Sequence, residues 1–255
     1  MKEIKKIILI SIIIICLTFC ASTNRELAKK REKDFKYQYN LGLFHLNEGN
    51  FALAIRHLNR CLSLNPKYYL AYNALGLTYS MQGNLEKAME NFKKCLEINP
   101  DFPEAHNNLG IIYQQMGFLD KAKEEYLKAI NYPDYPHKEL PYYNLALLSL
   151  TQDKPDQALK YVNSALKENN KYGMGYNLKG KILERLGNLE GAIINYREAL
   201  KIVPDEVNFM FNLGVALFKN KNYEEAKDIF KKLLKKTLTP EMKSQIEGYL
   251  SKIKE

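Results

Sequence analysis

Residues 69–100 read YLAYNALGLTYSMQGNLEKAMENFKKCLEINP and contain two stretches of helical periodicity that meet at Gly83 and Asn84. A glycine at such a junction is typical of the left-handed cap that ends a helix, and Glu86 supplies the acidic first turn of the next helix. Pro100 stops the second stretch, because proline cannot continue a helix. The segment therefore predicts a helical hairpin.

The same pattern returns along the chain with a period of 34 residues, which identifies an internal repeat. Each unit has a small residue in its first helix and an alanine about twelve residues later in its second helix. Small side chains at both positions allow the two helix backbones to approach closely. The first-helix residues are Gly42, Gly76, Gly110, Ala146, Gly180 and Gly214, and the second-helix alanines are Ala54, Ala88, Ala122, Ala158, Ala192 and Ala226.

These small, aromatic, Ala and Pro positions fall in the order of the tetratricopeptide repeat, which the chain resembles. The resemblance implies an all-α fold, an α-solenoid of six helical hairpins over residues 35–238. Its repeats start near residues 35, 69, 103, 139, 173 and 207. The second repeat matches the family pattern best, at Tyr72, Leu75, Gly76, Tyr79, Ala88, Phe92 and Pro100.

Residues 239–255 are predicted to form a C-terminal capping helix. A hairpin leaves one apolar face exposed until a neighbour covers it, so the last repeat needs a cover. The segment TPEMKSQIEGYLSKIKE has one apolar stripe on a polar background, which suits that role. The stripe consists of Met242, Ile246, Tyr249, Leu250 and Ile253.

The period is interrupted once, since Gly110 and Ala146 lie 36 residues apart. The two extra residues fall in INYPDYPHKELPYY, whose three prolines forbid one continuous helix. Six repeats with this Tyr-Pro insertion after the third, behind a lipoprotein-like signal, resemble the type IV pilus pilotin family of outer-membrane lipoproteins. The resemblance implies a periplasm-facing adaptor that helps the pilus secretin reach the outer membrane and assemble there. A surface-loop insertion without functional meaning is the alternative.

The N-terminus resembles a bacterial lipoprotein signal. Residues 1–19 have a basic start and an apolar run, and Cys20 stands at the position that is lipidated. The apolar stretch from Ile7 to Ala21 is 15 residues long and would span roughly 22 Å as a helix, less than the roughly 30 Å of a bilayer core. Phe19 stands where such signals usually have Gly, Ala or Ser, so an uncleaved anchor in the inner membrane and cleavage to a secreted periplasmic protein remain alternatives. Residues 20–34 are predicted to be a charged tether.

The net charge of +9 does not predict nucleic-acid binding, because it is concentrated at the two ends. Residues 1–34 carry 8 Lys or Arg against 4 Asp or Glu, and residues 231–255 carry 7 against 3. The intervening chain is nearly neutral, whereas binding to DNA or RNA needs a concentrated cationic face.

The predicted binding surface lies on the first helix of each repeat, called helix A below, which lines the concave side of stacked repeats. An asparagine side chain both donates and accepts, so it can pair with the backbone of an extended peptide without reading its sequence. Alternatively, these asparagines bond only within helix A or to its neighbour. The predicted residues are Asn40, Asn73, Asn107, Asn108, Asn144, Asn177 and Asn212, interleaved with apolar Tyr39, Leu43, Leu77, Met81, Ile111, Tyr143, Leu147, Phe211, Val215 and Phe218.

We predict no enzyme activity, cofactor, metal site or small-molecule substrate. GYNLKGKI at residues 175–182 has the Gly and Lys spacing of a phosphate-binding loop, but Ile182 replaces the required Ser or Thr. The four histidines include no HExxH pattern. Cys61 and Cys95 are predicted to be buried thiols about 10 Å apart, too far for a disulfide.

Two other functions remain open. One is an adaptor of the same architecture for cell-wall enzymes or another envelope complex, and the other is a secreted enzyme on a repeat scaffold. An acidic C-terminal peptide is a disfavoured ligand, because carboxylate-clamp repeats present paired Lys and Arg. Here the concave positions carry scattered cations instead, at Lys36, Lys181, Arg185 and Lys219.

Overall fold

The computed structural model describes residue 30 and residues 32–254. The predicted signal peptide, Cys20 and most of the predicted tether lie outside these residues. All regular elements of the described part are α-helices, which confirms the predicted fold class. The thirteen helices described are α1 (Phe35–Asn47), α2 (Phe51–Leu64), α3 (Tyr69–Met81), α4 (Leu85–Ile98), α5 (Pro103–Gln115), α6 (Leu119–Asn131), α7 (Glu139–Thr151), α8 (Pro155–Glu168), α9 (Gly173–Arg185), α10 (Leu189–Ile202), α11 (Val207–Lys219), α12 (Tyr223–Leu233) and α13 (Pro240–Lys254).

Short turns with a left-handed residue join the two helices of each hairpin. In the hairpin of α3 and α4, Gly83 has φ 75° and Asn84 donates its backbone N–H to Tyr79, five residues earlier. The Asn84 side chain then accepts from the backbone N–H of Lys87 and caps α4. One glycine and one asparagine thus end the first helix and start the second.

The seam of each hairpin is a contact between a small residue and a large one. A methyl group placed on Gly76 would lie 2.6 Å from Phe92 Cε1, and one placed on Gly180 would lie 2.5 Å from Tyr196 Cε1. Gly42 faces Leu58 and Gly214 faces Phe230 at similar distances. No larger side chain fits at these four positions without displacing its neighbour, as the repeat pattern predicted.

The chain forms two compact units, one ending at Met116 and the other beginning at Gly117. In the first unit, α1 packs on α2, α2 on α3, α3 on α4, and α4 on α5. In the second unit, each helix from α7 to α13 packs on the next one along the chain. Hairpins therefore stack on their sequence neighbours, and each unit has its own apolar core.

The Tyr-Pro insertion lies between α6 and α7. Helix α6 ends at Asn131 and α7 begins at Glu139, so the prolines separate the two helices as predicted. Pro141 lies in the first turn of α7, where its missing N–H leaves no helical hydrogen bond unmade. Tyr135 of the insertion is only 6% exposed, which anchors the loop.

Helix α13 covers the last hairpin. Ile246 is fully buried in the core that α11 and α12 form, and the other four residues of the predicted stripe pack against the same core. The helix thus caps the stack. Across the described residues, every helix is too short or too polar to span a lipid bilayer.

Candidate functional site

The predicted asparagines of helix A form pairs between neighbouring hairpins. In the first unit, Asn108 Nδ2 donates to Asn73 Oδ1 at 3.2 Å. In the second unit, Asn212 Nδ2 donates to Asn177 Oδ1 at 2.8 Å. Each bond joins the fifth residue of one helix A to the sixth residue of another, 35 positions later. The alternative that these asparagine side chains bond to a neighbouring helix thus holds for at least four of the seven.

Pairing does not use up the hydrogen-bonding capacity of these side chains. An asparagine has two N–H donors and two acceptor lone pairs, and one bond consumes one donor and one acceptor of the pair. All four paired residues are half-buried, so they remain in reach of solvent. Each pair therefore presents further donors and acceptors with a fixed orientation, which suits a backbone peptide group.

The other three predicted asparagines differ in exposure. Asn40 on α1 is exposed and Asn144 on α7 is half-buried. Asn107 on α5 is only 5% exposed, so its side chain offers almost no surface to a partner. The seven predicted asparagines therefore do not form a uniform surface, because their environments differ.

The predicted apolar residues of helix A lie at the surface to different degrees. Met81 is 62% exposed and is the most accessible of them. Tyr39 and Tyr143 are held by edge-to-face contacts with Tyr68 and Tyr172, at centroid distances of 5.1 and 5.5 Å. The other members, all half-buried, are Leu43, Leu77, Ile111, Leu147, Phe211, Val215 and Phe218.

Burial raises the pKa values of two predicted tyrosines of helix A. Desolvation raises the pKa of Tyr39 to about 12, and it also raises the pKa of Tyr143. These rings therefore act as uncharged apolar surface with one hydroxyl at neutral pH.

Two of the four cations predicted at the concave positions are already paired. Arg185 lies 2.6 Å from Asp153 and also donates to the Leu150 carbonyl. Lys219 lies 3.2 Å from Glu184, and Tyr196 donates its hydroxyl to the same carboxylate. A clamp for a terminal carboxylate needs cations that are free and converge on one point. The ion pairs of Arg185 and Lys219 therefore disfavour such a clamp.

The first hairpin places its histidines among structural contacts. His57 Nδ1 lies 2.9 Å from Gln38 Oε1, and its ring stacks on His45 at 5.3 Å. Burial lowers the pKa of His57. No group of three potential metal ligands exists among the described residues.

The two described cysteines are unpaired and fully buried, as predicted. Burial raises the pKa of Cys61 to about 11 and that of Cys95 to about 12. A thiol that stays protonated and inaccessible is a poor nucleophile, so these residues are packing groups.

The sequence did not predict a cavity of about 450 Å³ between α11 and α13. Its walls combine two predicted helix A residues, Phe211 and Val215, with residues of the capping helix that no pattern singled out. The capping-helix residues are Gln245, Gly248, Tyr249 and Lys252. An available signal was Gly248, an unexpected glycine in the middle of an amphipathic helix.

Family comparison agrees with the repeat pattern. Models of the tetratricopeptide repeat match residues 35–68, 57–90, 103–133 and 207–237, and a model described as TPR repeat matches residues 82–117 and 180–221. The chain is a tetratricopeptide repeat protein. Proteins with these repeats bind protein or peptide partners and are generally non-catalytic scaffolds.

Two type IV pilus proteins share the fold of this tetratricopeptide repeat protein over most of their length. PilF of Pseudomonas aeruginosa is 20% identical, with a TM-score of 0.75 over 86% of this chain and 99% of PilF. PilW, described as a widely conserved type IV pilus biogenesis factor, is 18% identical, with a TM-score of 0.76 over 83% of this chain and 97% of its own. The chain therefore resembles the PilW/PilF type.

Sequence relatives match only a few repeats. Surface lipoprotein assembly modifier 1 of Neisseria meningitidis is 32% identical over 77 residues, which is 30% of this chain and 16% of that protein. TPR repeat-containing protein MJ1428 of Methanocaldococcus jannaschii is 26% identical over 98 residues, which is 38% of this chain and 17% of that protein. The chain thus spans less than a fifth of either relative.

Proposed function

We propose that the chain is a non-catalytic adaptor, anchored in the outer membrane as a periplasm-facing lipoprotein, that assists the localisation and assembly of a type IV pilus secretin. The observation that carries the proposal is the extent of the likeness to PilF, which covers 99% of that chain. What sets this match apart is that it covers most of both chains, 86% of this one and 99% of PilF. MamA matches 63% of this chain, and Cut9–Hcn1 matches 87% of this chain but only 44% of its own.

Helix A supplies the binding surface in this proposal. An extended segment of the secretin lies along it, and the oriented asparagine pairs bond to its backbone. Exposed apolar groups such as Met81 contribute most of the affinity, because buried apolar contact area dominates binding at such surfaces.

Photo-crosslinking in cells tests the partner. A photoreactive residue in place of Met81, which is exposed on helix A, is compared with one in place of Glu97, which is exposed on the second helix of the same hairpin. We expect a secretin subunit to be captured at position 81 and not at position 97. Capture of no protein from several helix A positions contradicts the use of this face.

Lipid labelling tests the anchor. We expect incorporation of labelled palmitate into the parent chain and its loss in Cys20→Ala. A parent chain that takes up no palmitate removes the lipoprotein part of the proposal and leaves the adaptor part intact.

The alternative is a periplasmic tetratricopeptide lipoprotein that serves cell-wall enzymes or another envelope complex. The local likeness to surface lipoprotein assembly modifier 1 supports it, since that protein's name concerns lipoprotein assembly. The same crosslinking distinguishes the two functions, because recovery of hydrolases or lipoproteins without a secretin favours the alternative.

A further inference from the structure

The capping helix contains a glycine that the fold itself does not require. Gly248 lies in the middle of α13, where glycine is a poorer helix former than alanine. A methyl group placed on it would meet no heavy atom of the described chain within 4 Å. The positive-φ glycines of the described residues do not include it. Neither a turn nor close packing in this part of the molecule explains the glycine.

Gly248 borders the cavity between α11 and α13. Gln245, Gly248 and Lys252 follow one another on the same stripe of α13, since residues three or four apart share a helix face. Phe211 and Val215 of α11 line the cavity with them. The absent side chain of Gly248 leaves helix backbone open to whatever enters this space of about 450 Å³.

Aromatic contacts hold the wall of this cavity in place. The Tyr249 ring stacks on Phe230 at 5.4 Å, with 9° between the ring planes, and meets the edge of Phe218 at 5.0 Å. Ile246, one helical turn before Tyr249, is fully buried beneath the helix. These contacts fix the Tyr249 side of the cavity, so a ligand does not have to order that part of its wall.

The charge around the cavity favours an acidic ligand group. Lys252 is exposed and makes no ion pair with another described residue. Helix α11 carries no Asp or Glu, and Glu184 of α9 is already paired with Lys219. A carboxylate that reaches Lys252 thus meets no unpaired acid on α9 or α11.

We infer that the cavity between α11 and α13 binds a short apolar segment of the protein partner that carries an Asp or Glu beside its apolar residues. The apolar side chains contact Phe211 and Val215, the segment's backbone lies against Gly248, and the acidic side chain pairs with Lys252. Gln245 offers an amide to the same backbone. The inference rests on the proposed function, because it places one end of the bound partner.

Selection from random peptides tests the inference without knowledge of the partner. A phage-displayed library of random decapeptides is selected on the purified full chain and on Gly248→Leu. We expect the parent to enrich peptides with apolar residues next to an Asp or Glu, and Gly248→Leu to bind these peptides at least about tenfold more weakly. Equal enrichment by both proteins, or no enrichment by the parent, overturns the inference.

Gly248→Leu separates occlusion of the cavity from loss of folding. Leucine is a better helix former than glycine and meets open space here, so the thermal midpoint is expected to stay equal or rise. If Gly248→Leu binds the peptides more weakly but is as stable as the parent or more stable, the loss of binding is due to the leucine side chain filling the cavity. A lower midpoint contradicts the open geometry on which the inference depends.

Charge reversal tests the role of Lys252. Lys252→Glu is expected to weaken binding of the selected acidic peptides and to improve binding of versions in which Lys replaces their acidic residue. Unchanged preference between the two versions overturns the assignment of the acidic group.

The outcomes also separate the inference from the proposed function. If a secretin is captured from position 81 but Gly248→Leu does not affect peptide selection, the cavity inference is wrong and the adaptor function is retained. Peptide binding that depends on Gly248, with hydrolases captured in place of a secretin, keeps the cavity and removes the pilus assignment.

Discussion

At the scale of single residues, each hairpin seam is a size-matched pair sixteen positions apart. Where helix A has glycine, the second helix supplies a large side chain, such as Phe92 opposite Gly76. Where helix A has Ala146, the fully buried residue sixteen positions later is the smaller Val162, in the same core cluster. The summed volume of the two side chains is thus roughly the same from repeat to repeat, as dense packing of the core requires.

Gly76→Ala is expected to destabilise the protein although alanine is the better helix former. The added methyl group would lie 2.6–2.8 Å from three carbons of the Phe92 ring, and overpacking of this kind costs about 1–3 kcal/mol. Chemical denaturation measures the loss. Phe92→Val in the same chain imitates the pair of Ala146 and Val162, so the double variant should lose less stability than the sum of the two single variants. Simple additivity would contradict the size-matched seam.

The asparagine pairs show what the sequence alone left open at this scale. The sequence placed an asparagine near the middle of most A helices but did not distinguish a ligand contact from an internal bond. The distinction depends on the relative shift of two helices, which sets the fifth residue of one beside the sixth of another. The relative shift of the two helices cannot be read from the amino-acid sequence, although the spacing of 35 residues between the paired asparagines is consistent with it.

Asn108→Ala is expected to lower the free energy of unfolding by about 1 kcal/mol, because it removes a half-buried hydrogen bond to Asn73. Denaturation of both single variants and of the double variant gives the coupling energy of the pair. Asn40→Ala is the matched control, since Asn40 is exposed on α1, and we expect almost no change in its stability. A coupling energy near zero would mean that the pair does not stabilise the repeat stack.

At the scale of helices and turns, sequence signals sufficed where one residue determines the backbone. Gly49, Gly83, Gly117 and Gly187 all adopt positive φ at the end of a helix, and the prolines divide α6 from α7 as predicted. Two further hairpins make the same turn without glycine, at Asp153 with φ 56° and Lys221 with φ 63°. There the helices on both sides impose the left-handed backbone on a residue that disfavours it.

Lys221→Gly is expected to stabilise the protein by about 0.5–1 kcal/mol. Glycine removes the left-handed strain of about 1–2 kcal/mol. Part of this gain is lost, because glycine also raises the conformational entropy of the unfolded chain. Lys221 is exposed, so the substitution removes little packing; Asp153 is less suitable because it pairs with Arg185. A rise in thermal midpoint checks the prediction.

Lys232→Gly serves as the control for Lys221→Gly, because Lys232 is exposed in the last turn of α12. The same replacement in a right-handed helical residue should destabilise the protein. Equal effects of the two substitutions would show that the left-handed backbone at Lys221 carries no strain.

The cavity between α11 and α13 could not be predicted from local signals. Its walls come from two helices that are not adjacent in sequence, and its volume depends on how α13 lies on the last hairpin. The apolar stripe predicted that α13 would pack, but not which residues beside the stripe would stay open. The sequence therefore predicted the covered face of the cap but not the open edge beside it.

At the scale of the whole molecule, stability in a repeat protein is a sum of neighbour contacts, so a local change acts locally. Within the second unit, α13 covers the hairpin of α11 and α12. Ile246 and the stacked ring of Tyr249 are its main attachments to the core. The cap should therefore control the order of the last repeats far more than that of the first unit.

Truncation of the chain before Thr239 is expected to expose the core of α11 and α12 and to lower the thermal midpoint. The loss should be local, because contacts in repeat proteins join neighbours only. Amide hydrogen exchange measures this directly: protection should fall in α11 and α12, decrease less in α9 and α10, and stay unchanged in α3 and α4. Ser244→Ala, on the exposed side of α13, is the control and should leave every helix protected. Uniform loss of protection through the first unit would show that the hairpins fold as one cooperative block and would contradict a stack held together by neighbour contacts.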